Sequence, residues 1–195
     1  MKTSEFEQFL KFAEDHLSDK SESQKIQTFV SWCKKSGIEE VILRLSSENK
    51  GGLGKNFFLD FTTSRIIVSK KKFMRKFVDV GYIAGMAPFP YMLLSKNLKI
   101  SDLRKTSVIN PEDTLKKDSS NFFVPYSEIH QVIIRKGVES IVTNMLGSMV
   151  TRNFLTVKTS SKKKYDYGLP VNKNGTLEQI HYWLGVIMPG KVFAR

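Results

Sequence analysis

Nine basic residues bracket one apolar run in this 195-residue chain. Lys70, Lys71, Lys72, Arg75 and Lys76 precede the run, and Lys96, Lys99, Arg104 and Lys105 follow it. Between them residues 80–94 read VGYIAGMAPFPYMLL. A helix that crosses a bilayer needs ~20 apolar residues; this run has 15 and is interrupted by Pro88 and Pro90, which break helices. The chemistry that fits is adsorption to an anionic surface. Lysines and arginines near charged headgroups contribute roughly 1 kcal/mol each. Phe89, Tyr91, Met92 and Leu93 would supply shallow apolar insertion, with Lys96 and Lys99 on its far side. The same run also suits packing against the rest of the chain, because Gly81, Ala84, Gly85 and Ala87 allow close approach.

Other reactive residue types are sparse. Asp60 with Asp79, or Glu128 with His130, would make acid/base pairs. Strand alternation, however, puts Glu128 and His130 together on an outer, solvated face. Cys33, the single cysteine, falls on the apolar side of a helical pattern and reads as a buried thiol. A lone cysteine excludes a disulfide framework and any multi-cysteine metal site. His16, His130 and His181 have no ligand spacing. Gly51-Gly-Leu-Gly-Lys55 lacks the second half of a phosphate-binding loop. It reads as a flexible turn whose amides, with Lys50 and Lys55, suit an anion. Lys162–Lys164 ahead of Tyr165 and Tyr167 suit either single-stranded nucleic acid or a solvated hairpin tip. No catalytic residue, metal or cofactor emerges, and a non-enzymatic protein is expected.

The elements that must position these residues follow from periodicity. Phe6, Phe9, Leu10, Ala13 and Leu17 have helical spacing after Ser4, a capping residue; Ile26, Phe29, Val30 and Cys33 repeat it up to Gly37. Together they predict a helical hairpin over 1–37. From residue 38 the texture becomes that of strands: 40–46, 56–61, 65–69, 121–124, 129–135, 153–159 and 163–167. Thr62-Thr63-Ser64 joins one hairpin and Ser160-Ser161 another. Asn110-Pro-Glu-Asp113 opens a short helix. Val138, Ile141, Val142, Met145, Leu146 and Met149 have helical offsets and predict an amphipathic helix between strands; a connecting loop or a self-association surface are the alternatives. Leu177, Ile180, Trp183, Leu184 and Ile187 mark a last helix, capped by Thr176 and ended by Pro189-Gly190. Hairpins followed by one helix predict an antiparallel sheet covered by that helix.

Net charge adds direction. The chain carries +12, yet residues 1–50 hold 8 basic and 9 acidic residues, so the whole excess lies after them. That field favours anionic partners and leaves open which kind.

Three stretches resemble the pleckstrin-homology-like superfold, especially its GRAM-like and prokaryotic relatives. Phe57–Val68 is similar to the second hairpin of those domains, with its Thr-Thr-Ser-Arg-Ile-Ile pattern. Phe123-Val-Pro-Tyr-Ser-Glu-Ile129 is similar to their entry to a central strand, and residues 154–167 to their final hairpin. The resemblance covers residues 38–190 apart from an insertion at 70–120, which a minimal domain lacks. It implies an α+β fold: a seven-stranded antiparallel barrel or sandwich with a C-terminal helix, preceded here by the helical extension. It also implies a binding module for lipid or protein. The expected function is therefore peripheral association with anionic lipids through the insertion. A protein-interaction or homodimerising adaptor and nucleic-acid binding are the alternatives. The charged first 20 residues lack the apolar core of a signal peptide, so a cytoplasmic protein at the inner face of the membrane is expected.

Overall fold

Apolar residues that alternate along short segments, punctuated by Thr, Ser, Gly and Pro, dictate most of the architecture. The computed structural model describes residues 11, 20–49, 56–70, 111–141, 148–170 and 177–195. Helix α1 (Glu22–Lys35) starts at Ser21, whose backbone N–H donates to Gln24 Oε1 at 3.0 Å. It stops at Gly37, which has φ +66°, a conformation that costs glycine little. There the N–H of Ile38 reaches the Cys33 carbonyl and that of Gly37 the Lys34 carbonyl, a double closure of the last turn. Phe29, Val30 and Cys33 are buried on its inner side. The first predicted helix of the hairpin lies outside the described residues.

Among the described residues eight strands follow: β1 (Val41–Asn49), β2 (Asn56–Thr62), β3 (Arg65–Lys70), β4 (Phe122–Pro125), β5 (Ile129–Ile141), β6 (Ser148–Thr159), β7 (Lys164–Pro170) and β8 (Val192–Ala194). Helix α2 (Pro111–Lys116) precedes β4, and helix α3 (Leu177–Ile187) separates β7 from β8. The strand order is β4-β3-β2-β1-β7-β6-β5-β8. All pairings are antiparallel except β5 with β8. Among the described residues β1 and β7 pair only at Glu48–Gly168 and Asn49–Tyr167. The sheet is thus two mostly antiparallel four-stranded halves joined by a short seam. Of the expected seven-stranded barrel or sandwich, the single seven-stranded barrel is corrected, while the α+β content and the C-terminal helix stand. The extra strand has a local cause. Pro189-Gly190 ends α3, Gly190 takes φ +76°, and the chain turns back to lay 192–194 along β5.

The core lies between the inner faces of both halves and α3. Leu45, Leu59, Phe61, Ile134, Leu155, Leu169 and Leu184 are fully buried in it. A buried side chain of this size stabilises by roughly 1.5–3 kcal/mol. The Phe122 and Tyr165 rings, 5.6 Å apart, bring β4 to β7 across the core. Helix α3 turns Ile180, Trp183, Leu184 and Ile187 inward and packs against α1, β5 and β8.

The helix predicted around 138–149 is corrected as well. Val138, Glu139, Ser140 and Ile141 pair with Thr151, Val150, Met149 and Ser148, so both flanks of that stretch are strand. The hairpin is extended further by a contact no periodicity reveals. The Phe154 ring lies over Gly137 so closely that an added Cβ would sit 2.4 Å from its Cε2.

Candidate functional site

Each half-sheet has an inner face of core residues and an outer face, and the outer faces carry the polar chemistry. On the first half, alternation sends Arg44, Asp60, Thr62, Arg65, Ile67 and Phe123 outward. Arg44 and Asp60 are directly opposed across β1 and β2. The guanidinium grips the carboxylate with Nε to Oδ1 at 2.5 Å and Nη2 to Oδ2 at 2.7 Å. It also lies 4.6 Å from the Phe58 ring centroid. Asp60 is fully buried, so its candidate role as an acid/base group gives way to that of a structural anion. Asp79 lies outside the described residues.

Arg65 is the hub of the second cluster. It donates to both Glu39 carboxylate oxygens, at 2.9 and 2.6 Å, and to Glu112 in the first turn of α2. The Phe123 ring stacks on its guanidinium, 4.5 Å away. Thr62 and Ser64 hydroxyls donate to Glu39 as well, at 2.6 and 2.7 Å. Burial alone would push the Glu39 carboxyl up; the hydrogen bonds from Arg65, Thr62 and Ser64 outweigh it and hold its pKa below the ordinary value. The nearby Tyr126 hydroxyl donates to the Thr62 carbonyl at 2.7 Å, and burial raises its pKa well above the usual phenol value. Together these contacts seat α2 on the outside of β3. Its other end is tied by Asn121, whose side chain donates to the Thr114 carbonyl and accepts from the Lys70 backbone N–H. Both borders of the segment between Lys70 and Pro111 are therefore fixed to the sheet.

Of the expected membrane-binding residues, Lys70 is exposed at the end of β3. Lys71, Lys72, Arg75, Lys76, Phe89, Tyr91, Met92, Leu93, Lys96 and Lys99 lie outside the described residues. The structure adds partners to Lys70 that sequence spacing could not. Asn121, bonded to Lys70, precedes Phe122, and the Phe122 ring meets Tyr165, the neighbour of Lys164. The β6–β7 turn, with Lys162, Lys163 and Lys164 exposed, thus stands at the same end of the molecule as Lys70. Its tip is strained: Lys162 has φ +64°. The sequence shows Lys70 and the run of three lysines separately, and their placement at one end of the molecule is a product of the fold.

The second half-sheet turns Arg135, Phe154, Lys158, Lys164 and Phe193 outward, with Arg135 placed 5.3 Å from the Phe154 ring centroid. Phe193 and Arg135 are exposed, as are Glu128 and His130 near the start of β5. Cys33 is fully buried; desolvation, then the charge of Glu40, push its thiol up to about 12. Among the described residues no group of His, Cys, Asp and Glu is placed to hold a metal ion, and no helix is long and apolar enough to cross a membrane. Compared with protein-family models, with curated proteins and with solved structures, the chain shows no significant match.

Proposed function

We propose that this protein is a non-enzymatic binding module of pleckstrin-homology-like or GRAM-like type, and that it docks peripherally on anionic membranes at the inner face. The observation that carries the reading is the basic end. Lys70 and Lys162–Lys164, drawn from distant segments, are exposed around one aromatic pair, and the segment bordered by Lys70 and Pro111 holds the other basic residues and the apolar run. Lys70, Lys162 and Lys163 at an anionic surface contribute roughly 1 kcal/mol each before any insertion, while Lys164 is shared with Asp166 at 2.7 Å. The fold-family reading draws support from the two mostly antiparallel half-sheets and the helix packed across their core; β8, which pairs parallel with β5, and α1 are additions to that plan.

Co-sedimentation with vesicles tests it. Binding is expected to vesicles containing anionic lipid, to weaken with salt, and to fall steeply in a K70E/K162E/K163E variant. Equal, negligible binding to anionic and zwitterionic vesicles at low salt would overturn the proposal.

A further inference from the structure

Among the described residues the two edges of the sheet are β4 and β8, and they are finished differently. β4 ends in Pro125, which has no N–H to offer, and its exposed Phe123 is covered on one side by the Arg65 guanidinium. β8 has neither device. Parallel pairing with β5 uses the backbone of alternate residues: the Lys191 carbonyl accepts from the Val132 N–H at 2.8 Å, and the Arg195 N–H donates to the Ile134 carbonyl at 2.9 Å. The intervening residues, Val192 and Ala194, consequently turn their N–H and C=O groups away from β5. Among the described residues no strand pairs with that side. Phe193, between them, is 45% exposed.

This edge is also held in place. The Lys191 ammonium donates to the Tyr126 and Ile129 carbonyls at 2.7 and 2.8 Å, which anchors the start of β8, and α3 packs beside it. A short strand fixed at its root, with four outward backbone groups and an apolar side chain at its centre, is a template for strand addition.

Charge selects the occupant. The side chains of Lys191-Val-Phe-Ala-Arg195 include two cations and no acid. A second copy pairing antiparallel about Phe193 would set Lys191 opposite Arg195, and like charges directly opposed are destabilising. Parallel pairing of two copies would put Lys191 beside Lys191. We propose that the free edge of β8 receives an extended segment of a different protein, with an apolar residue beside Phe193 and carboxylates flanking it. The backbone groups of Val192 and Ala194 supply the hydrogen bonds, and Arg195, with Arg135 on the neighbouring strand, meets the carboxylates.

The test uses the full chain and two short labelled peptides, each with a central Phe between Val residues, one flanked by Glu and the other by Lys. The acidic peptide is expected to bind at least tenfold more tightly by fluorescence anisotropy. R195E should remove most of that difference. N-methylation of the peptide on its pairing side should abolish binding with the protein untouched. On binding, the Val192 and Ala194 amides should exchange more slowly, and those of Phe193 and Arg195, which face β5, should not change. The K70E/K162E/K163E variant, which tests the membrane reading, should bind the peptide normally. No binding of the acidic peptide at millimolar concentration, or binding that survives N-methylation, would overturn the assignment.

Discussion

On the outer face of β1–β4, Asp60, Thr62, Ile67 and Ser69 are buried, whereas on that of β5–β8 Arg135, Lys164 and Phe193 stand in solvent. Each half contributes the same kind of apolar inner face to the core, so the difference lies in what its cations do. Arg44 and Arg65 are neutralised by Asp60, Glu39 and Glu112 and serve to hold strands and α2 together. On the second half Lys164 pairs with Asp166 at 2.7 Å, whereas Arg135, Lys162 and Lys163 stand exposed. A net charge counts both kinds alike; only placement separates cations that bind the protein to itself from those that bind it to something else.

The largest effect that tests this contrast is at Asp60. D60A leaves the Arg44 guanidinium, itself only 17% exposed, without its carboxylate. Breaking a buried pair from one side costs about 3–5 kcal/mol. R135A on the second half loses one exposed stacking contact and should cost about 0.5–1 kcal/mol. Urea unfolding of both variants measures the gap, and losses of equal size would erase the distinction between the halves.

Gly137 comes next. G137A places a methyl against the Phe154 ring, which must tilt or slide, and overpacking of this kind costs about 1–3 kcal/mol. In an F154A background the same substitution should cost far less, since the two residues share one contact. A cost that persists would move its cause from the ring to the backbone.

That contact also explains where the sequence misleads. Residues 56–70 are legible because Phe57, Leu59 and Phe61, then Ile66 and Val68, alternate on either side of a Thr-Thr-Ser turn, and every one of them faces the core. The apolar residues of 138–149 have offsets of three and four, so a helix fits them equally well; the cross-strand ladder beyond Gly137 decides the matter. Cys33 and Gly37 were readable because burial and helix closure act within a few residues. The Arg65 cluster was not, since Glu39 and Glu112 lie 26 and 47 residues away from it. Asp60 next to a turn looked available for proton transfer until a neighbouring strand supplied Arg44. For the basic end, the lysines were visible one by one, but only the fold sets Lys70 at the same end as the turn at Lys162–Lys164.

A smaller effect comes from Glu39 and depends on pH. Its pKa in the folded chain lies below the ordinary 4.5, so the unfolded chain takes up this proton first as pH falls. The stability it confers is complete above that ordinary value and drains away as pH drops through the depressed folded value. E39Q should therefore cost about 1–2 kcal/mol at neutral pH, the worth of a charge-assisted hydrogen bond. It should also flatten the decline in stability as pH falls below about 4.5. An unchanged acid slope in thermal melts would place the titration elsewhere. On the second half-sheet no such loss is expected, because R135A should follow the wild-type slope.

The smallest effect separates fold from function within a single residue. Lys162 occupies the left-handed region, which costs an L-residue roughly 1–2 kcal/mol. Glycine removes that strain but gives back about 0.5–1 kcal/mol in chain entropy. K162G should then stabilise the protein by about 0.5–1 kcal/mol in urea melts. It also deletes one cation from the basic end, worth about 1 kcal/mol at an anionic surface, or roughly a fivefold loss of vesicle affinity. K34Q removes a charge from the exposed side of α1 and serves as the control. If the turn is strained because it presents a lysine to the membrane, the two readouts move in opposite directions for K162G, and neither moves much for K34Q. Equal loss of affinity in both variants would mean that net charge alone, and no particular end of the molecule, attracts the bilayer.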